Sequence, residues 1–378
     1  MLLIQKTNTK AKIMNNKKVL IAMSGGVDSS VTVYLLKQQG FDCIGTTMRL
    51  YRNETISQGN FKTCCSEKDM EDASEVAFDL DVPYEIVDFT DDFQKQIIDK
   101  FIKVYENGGT PNPCIDCNRY MKFEKLLNIA LEKKCDLIAT GHYAISEYSE
   151  KHGRYILRKA KDLTKDQSYV LYNLTQDQLK HTIFPLGNLE KTQVREIAEK
   201  QGFVNSQKHD SQDICFIPDG DYFKFIKKYT GKTPQEGNFI DENGKILGRH
   251  KGIISYTVGQ RRGLGIASDA PLYVKKLDMA NNNVILCKNE GLFSKTLIAD
   301  DINLISTEKI TEPMKIKAKV RYRQKEQPAT VIQIDENRIK VEFDTPQRAI
   351  TKGQAVVLYD DDIVVGGGTI SETESDLS

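Results

Sequence analysis

Two sets of residues in this chain are of types and spacings that do chemistry. The first is the run Ser24-Gly-Gly-Val-Asp-Ser-Ser30. Its paired glycines, Gly25 and Gly26, let the backbone turn tightly and offer N–H groups to an anion, and a helix starting at the loop adds partial positive charge. The hydroxyls of Ser24, Ser29 and Ser30 can donate to phosphate oxygens. Asp28 would repel a phosphate unless a Mg²⁺ ion lay between them, so it reads as the metal-side group. No lysine closes the loop, so the pattern G-x-x-x-x-G-K-S/T is absent, and so is G-x-G-x-x-G.

The second set is the cysteines, eight in all. Cys64 and Cys65 are adjacent, Cys114-Ile-Asp-Cys117 is a C-x-x-C, and the other four are single. Eight is too few for a disulfide scaffold in a chain of 378 residues, and reduced thiols point to sulfur chemistry or metal. Cys117 precedes a predicted helix, whose dipole, with Arg119 and Lys122, favours its thiolate. Cys215 lies far away in Asp210-Ser-Gln-Asp-Ile-Cys-Phe-Ile-Pro-Asp-Gly220. A c-type haem needs histidine after C-x-x-C, and Asn118 stands there instead. Cys64, Cys65, Cys114 and Cys117 have the count for a zinc site. Cys43, Cys135 and Cys287 read as small buried apolar residues. Two distant thiols that meet can also pass sulfur: one carries a persulfide, the other attacks it, and a disulfide remains.

The elements that must hold these residues alternate. Residues 18–23 form a short apolar strand, 28–39 a helix stopping at Gly40, and 43–50 a second strand. A helix over 66–80 follows, then strand 84–89, helix 91–106, a loop over 107–118, helix 119–134 and strand 136–140. That order implies an α/β fold with a doubly wound parallel sheet. From 314 onward short alternating runs predict a small antiparallel β-barrel. The expected division is a disordered extension over 1–16, a catalytic domain over 17–218, a small mixed middle domain over 219–293 and a barrel over 294–378. Lys315, Lys317, Lys319, Arg321, Arg323 and Lys325 would share one strand face, spaced as a phosphate track. Gln260-Arg-Arg-Gly263 adds a second basic spot.

Composition excludes several classes. Lys plus Arg and Asp plus Glu both number 53, so a nucleic-acid partner must be held by local patches. Charged residues at 28% and hydrophobic ones at 39% fit a soluble globular protein. No run approaches the roughly 18 apolar residues that span a bilayer. Leu2 to Ile4 is apolar but Gln5 to Lys12 is polar and basic, which is no signal-peptide core. A cytoplasmic protein without membrane contact is expected, with Met14 as an alternative start.

The loop Ser24 to Ser30 after a strand resembles the PP-loop of the ATP pyrophosphatases, which split ATP between its α and β phosphates. Cys64-Cys65-Ser66, Asn112-Pro113 to Cys117-Asn118, Gly141-His142-Tyr143, Lys165-Asp-Gln-Ser168 and Asp210 to Phe216 then follow in one order. With Gly259 to Gly265 and Arg321-Tyr-Arg-Gln324, they make residues 17–370 similar to the bacterial tRNA-specific 2-thiouridylases. The resemblance implies ATP-dependent 2-thiolation of the wobble uridine of tRNA(Lys), tRNA(Glu) and tRNA(Gln), with Mg²⁺. Cys117 would be the nucleophile and Cys215 the persulfide carrier, supplied by a cysteine desulfurase or a persulfide relay protein. ATP would meet Ala22, Met23, Ser24, Gly25, Gly26, Val27, Asp28 and Ser29, with Met48 and Gly141. The target base would meet Asn112, Pro113 and Cys114. The tRNA would meet His142, Lys165, Asp166, Gln167, Arg321, Tyr322 and Gln354. Many members carry Asp where this chain has Cys114, so Cys114, Cys117 and Cys215 are also candidate ligands of a 4Fe–4S cluster. Another PP-loop tRNA sulfurtransferase, acting on cytidine or at the 4-position of uridine, is the alternative, as is a non-catalytic tRNA-binding or sulfur-relay protein.

Overall fold

The computed structural model describes residues 17–51, 67–209 and 214–377. Cys64, Cys65, Ser66 and Asp210 lie outside these. The described chain divides into two compact units, one built from residues up to 96 and 114–220, the other from 97–113 and 221–378.

The first unit holds five parallel strands: β1 Lys18–Ala22, β2 Asp42–Arg49, β3 Tyr84–Asp88, β4 Leu137–Ala139 and β7 Thr182–Ile183, in the order β3-β2-β1-β4-β7. Val19, Leu20 and Ile21 are fully buried because β1 has a partner on each edge and packing on each face, hence its unbroken apolar run. Helix α1 Val27–Gln38 lays Val27, Val31, Val33 and Leu36 into a core shared with Ala73, Val76 and Ala77 of α2 Glu67–Asp79. A hairpin, β5 Ala144–Ser149 with β6 Arg154–Lys159, leaves the sheet after β4. Strand order reverses between β1 and β4. Such a switch point opens a crevice at the carboxyl ends of the strands, where ligands of this fold class sit.

The helix expected over 119–134 starts earlier. Pro113–Asp116 is already helical, Cys117–Lys125 winds as a π-helix, and α3 Leu126–Glu132 completes the segment. Pro113 accounts for the difference: its fixed φ and missing N–H suit a first helical turn, whereas in sequence it reads as a loop marker. Cys117 therefore lies inside a helical segment, and π-bulges of this kind are frequent at functional sites.

In the second unit the helix Asp99–Glu106 stacks Tyr105 on Tyr222, with ring centroids 4.3 Å apart. A four-stranded sheet of β8 Gly237–Ile240, β9 Ile246–His250, β10 Tyr273–Asp278 and β11 Asn283–Cys287 surrounds Phe239, Val274 and Val284. Six further strands follow: β12 Phe293–Leu304, β13 Met314–Lys319, β14 Gln327–Gln333, β15 Ile339–Arg348, β16 Ala355–Asp360 and β17 Ile363–Thr373. They pair antiparallel in the order β12-β15-β14-β13-β16-β17, and β12–β17 closes the barrel. β12 precedes the alternation read from 314 onward because register shifts at Ile298/Ala299 and Asp300/Asn303 break its period of two.

Candidate active site

The phosphate loop leaves β1 at the switch point and is shaped by its own side chains. Gly25 has φ +67°, and a Cβ there would lie 2.1 Å from the Asp69 carbonyl oxygen, so only glycine fits. Ser29 Oγ donates to the Gly26 carbonyl at 2.9 Å and accepts from the Ser24 N–H at 3.2 Å. Ser30 Oγ also donates to Gly26 O, at 3.2 Å. Ser29 and Ser30 are buried, and in this structure their hydroxyls hold the loop in shape. Ser24 is exposed, and Gly26 stands as the N-cap of α1. Ala22, Met23 and Val27 are buried beneath the loop, and Met48 is buried at the end of β2. From β4, Gly141 closes on the loop so tightly that a Cβ would lie 2.9 Å from Asp28 C and Ser29 N.

Asp28 is the charged centre of this loop. Lys191 Nζ reaches its two carboxylate oxygens at 2.7 and 2.8 Å, and the Tyr143 hydroxyl donates to Oδ1 at 2.8 Å. Lys191 opens helix α4 Lys191–Lys200, where its N–H is taken up by Asp162 Oδ2 at 3.0 Å. The loop lacks a lysine of its own, and one arrives from 163 residues away. In sequence Lys191 reads as an ordinary solvated lysine at a helix start, so nothing marked it. Asp28 is the carboxylate that the loop itself supplies, and Mg²⁺ takes one or two carboxylates and completes its shell with water and phosphate oxygens.

A second, partly exposed cation also supports the loop. Lys208 Nζ bonds Asp69, Asp72 Oδ2 at 2.8 Å and the Gly25 carbonyl at 3.0 Å. Burial works against its charge, but the bonds to Asp69 and Asp72 outweigh that and push its pKa up. Asn205 Nδ2 donates to Gly25 O at 3.1 Å and to Ser30 Oγ at 2.9 Å. Both residues stand shortly before Cys215 and were not singled out in the sequence.

Cys117 and Cys215 both fall in the first unit. Cys117 is buried near the start of its helical segment, and its neighbour Asn118 donates to Val170 O at 2.9 Å. Cys215 is half-buried. Its carbonyl accepts from the Tyr51 hydroxyl at 3.5 Å, and Phe216 packs edge-on against Phe93 at 5.8 Å. Cys114 is exposed, Asn112 half-buried and Pro113 buried. Among the described residues no three His, Cys, Asp or Glu side chains gather as a metal-holding group. Cys114, Cys117 and Cys215 are thus not gathered as a ligand set in this arrangement: Cys114 is exposed and Cys117, one turn on, is buried. Burial pushes the thiols of Cys43 and Cys287 up to about 11, which leaves them inert protonated core residues.

The residues assigned to tRNA are placed unevenly. His142 is buried between Phe123 and Phe184, with Nδ1 2.7 Å from Thr140 Oγ1. Burial, with a smaller effect from Lys122, holds its pKa well below the usual range, so it is neutral and faces inward. Asp166 accepts from Ala160 N, Ser168 N and Ser168 Oγ, and Gln167 grips Tyr143. Lys165 is half-buried beside them. In the second unit Gln354 Nε2 donates to Thr110 O at 2.9 Å, tying the turn before β16 to the chain that leads into Asn112. Arg321 Nη2 donates to Ala349 O at 2.9 Å and Thr351 Oγ1 at 3.1 Å, and Tyr322 is exposed.

The six-cation track is not continuous. Lys315 and Lys317 point outward, with Asp344 and Asp361 at 3.8 and 3.9 Å. Lys319 is buried, its ammonium 5.3 Å from the Tyr359 ring centroid. β13 ends there, and Arg321 and Arg323 lie in the turn that follows. The alternation was real up to Ala318, but the strand stops before the pattern does.

The chain was compared with known proteins. A family model described as the tRNA methyl transferase HUP domain matches residues 17–219. A tRNA methyl transferase PRC-barrel domain matches 223–288, and an aminomethyltransferase beta-barrel domain matches 294–370. The tRNA-specific 2-thiouridylase MnmA of Clostridioides difficile is 50% identical over 358 residues, covering 95% of this chain and 99% of that one. The enzyme of the same name from Clostridium acetobutylicum is 50% identical over 94% of this chain and 99% of its own. That from Acetivibrio thermocellus is also 50% identical, over 94% and 100%. With half its residues shared across nearly the full length of these relatives, the chain belongs to the tRNA-specific 2-thiouridylase family.

Proposed function

We infer that the chain is a tRNA-uridine 2-sulfurtransferase that uses ATP to replace O2 of the wobble uridine in tRNA(Lys), tRNA(Glu) and tRNA(Gln) by sulfur. The observation that carries this reading is the phosphate loop at the β1/β4 switch point, closed on by Gly141 and centred on Asp28, within the same unit as Cys117 and Cys215.

The loop N–H groups and the α1 N-terminus hold the ATP phosphates. Asp28 would hold Mg²⁺, whose charge would offset that of the departing pyrophosphate. The uridine O2 attacks the α-phosphorus, the α–β bridge breaks, and O2 becomes part of an AMP leaving group. A wobble base in a single-stranded anticodon loop can be turned out to reach such a site at modest cost. Cys215 carries sulfane sulfur delivered by a cysteine desulfurase or its relay. The Cys117 thiolate attacks the Cys215 Sγ–S bond, a Cys117–Cys215 disulfide forms, and hydrosulfide leaves. Hydrosulfide adds at C2 and expels AMP. The disulfide returns to two thiols by two electrons from a cellular thiol reductant. The half-buried seat of Cys215 suits a sulfur that must be loaded from outside and then shielded from water. No step is routed through iron. A cytoplasmic setting fits this chemistry; among the described residues no helix is long and apolar enough to cross a membrane. We keep the division into a catalytic domain over 17–218, a middle domain over 219–293 and a barrel over 294–378 that contributes to tRNA binding.

The test is where the sulfur lands. Turnover of a tRNA(Lys) transcript, followed by nuclease mapping and mass spectrometry, should place one 2-thiouridine at the wobble position. Thiolation of a cytidine or at the 4-position of a uridine would transfer the reading to another PP-loop sulfurtransferase.

A further inference from the structure

Tyr143 joins two places that the proposed function uses separately. Its side chain is buried, and its backbone is gripped from both ends by Gln167. Gln167 N donates to Tyr143 O at 2.9 Å, and Gln167 Oε1 accepts from Tyr143 N at 3.0 Å. Its hydroxyl, at the far end of a rigid ring, donates to Asp28 Oδ1 at 2.8 Å. The same carboxylate receives Lys191, whose ammonium stands 5.8 Å from the Tyr143 ring centroid. On the other side, Asp166 ties Ala160 and Ser168 together, so Gln167 sits in a braced turn. From that turn to the phosphate loop there are one backbone bond, one bond to the Gln167 side chain, one aromatic ring and one hydroxyl bond to a charge. None of these is a soft joint.

We propose that Tyr143 is a positioning residue that couples tRNA binding at Lys165–Gln167 to binding of Mg-ATP at Asp28. Together with Lys191, the hydroxyl bond sets the rotation of the Asp28 carboxylate, and so which oxygen faces a cation. A tRNA that shifts or stiffens the 165–167 turn resets that rotation through Gln167 and Tyr143. By linkage, nucleotide on the loop changes tRNA affinity by the same factor. The coupling rests on the reading of Lys165–Gln167 as a tRNA contact. It would keep the enzyme from committing ATP until a substrate base is in place.

The test is the dissociation constant of an α,β-methylene ATP analogue with Mg²⁺, measured by calorimetry with and without saturating tRNA(Lys) transcript. In the wild type, tRNA should change that constant by about tenfold, within the 5–150-fold usual for such couplings. Tyr143→Phe keeps the ring and the Lys191 contact but removes the hydroxyl. It should bring the factor to about one while each ligand still binds alone. Gln167→Met, which loses the acceptor for Tyr143 N, should also bring the factor to about one, whatever it does to tRNA affinity itself, and serves if the phenylalanine variant folds poorly. No coupling in the wild type, or coupling that persists in both variants, overturns the proposal. Lys165→Ala examines the underlying contact: unchanged tRNA affinity there would remove the tRNA reading of this turn. That result is distinct from persistence of coupling in Tyr143→Phe.

Discussion

Replacing Gly26 by alanine adds one methyl group where the protein itself has room for it. Gly26 has φ −95° and ψ 160°, a backbone conformation open to any residue. Among the described residues a Cβ there would meet only Ser24 Oγ, at 3.5 Å, which is ordinary contact. Gly25 and Gly141 differ, since a Cβ on either would run into backbone at 2.1 and 2.9 Å. Packing among the described residues therefore does not require glycine at 26, and the phosphate reading supplies a reason beyond its N-cap role. Alanine is a poorer N-cap than glycine, which costs about 1 kcal/mol or less and should barely move the thermal midpoint. The effect on ATP should be much larger. A phosphate cradled here must approach the loop N–H groups to about 3 Å, and a methyl on the cap stands in that approach. Charge-assisted bonds contribute about 1.5–3 kcal/mol each, so losing one or two costs about 2–5 kcal/mol. At about 1.4 kcal/mol per tenfold, kcat/KM for ATP should fall by roughly 30-fold to several thousandfold. The assay is tRNA-dependent pyrophosphate release as a function of ATP, with the thermal midpoint measured in parallel. A Gly26→Ala variant with a native midpoint and near-native kcat/KM would refute the reading of this loop as a phosphate site.

Other outcomes follow from the same geometry. Cys117→Ser and Cys215→Ser should each abolish 2-thiouridine formation while tRNA affinity, measured by filter binding, stays close to the wild type; full activity in either would sink the two-thiol route. Lys208→Met leaves Asp69 and Asp72 buried without their shared cation, a break that costs about 3–5 kcal/mol when full and about 2–3 here because Lys208 is partly exposed. A domain of this size should then melt about 4–12 °C lower, and an unchanged melting curve would count against the buried clamp. His142 and His250 are both held below the ordinary histidine pKa, chiefly by burial. Their unfolded forms take up protons near pH 6.5 while the native forms do not, so stability is fully present above that pH and is lost as pH falls below it. Melting from pH 8 to pH 5.5 should show this loss, with a shallower slope in His142→Asn; identical slopes would contradict the neutral assignment.

What could be read from the sequence was what local pattern encodes. Lys18 to Met23 announced a buried parallel strand because both its edges and both its faces are covered. The loop after it was legible because a strand, two glycines and a helix leave the backbone few options. Cys117 reads as a loop residue because Pro111 and Pro113 read as breakers, whereas Pro113 opens the helical segment. Lys191, Lys208 and Asn205 carry no local signature, since their roles exist only once α4 and the chain after it fold back on the loop. The barrel track failed for a related reason. Period-two charge predicts which way a side chain points only while the strand lasts, and β13 ends at Lys319.

The central claim is that one ATP is split per sulfur transferred, with both reactive thiols on this chain. The most direct measurement is a single anaerobic turnover of iron-free protein, preloaded with persulfide and given Mg-ATP and tRNA(Lys) transcript. Pyrophosphate and wobble 2-thiouridine are counted together, and the Cys117–Cys215 peptide is sought by mass spectrometry. The account predicts pyrophosphate and 2-thiouridine in equal amounts, with that disulfide formed. Thiolation only after iron is restored, or product without the disulfide, would contradict it.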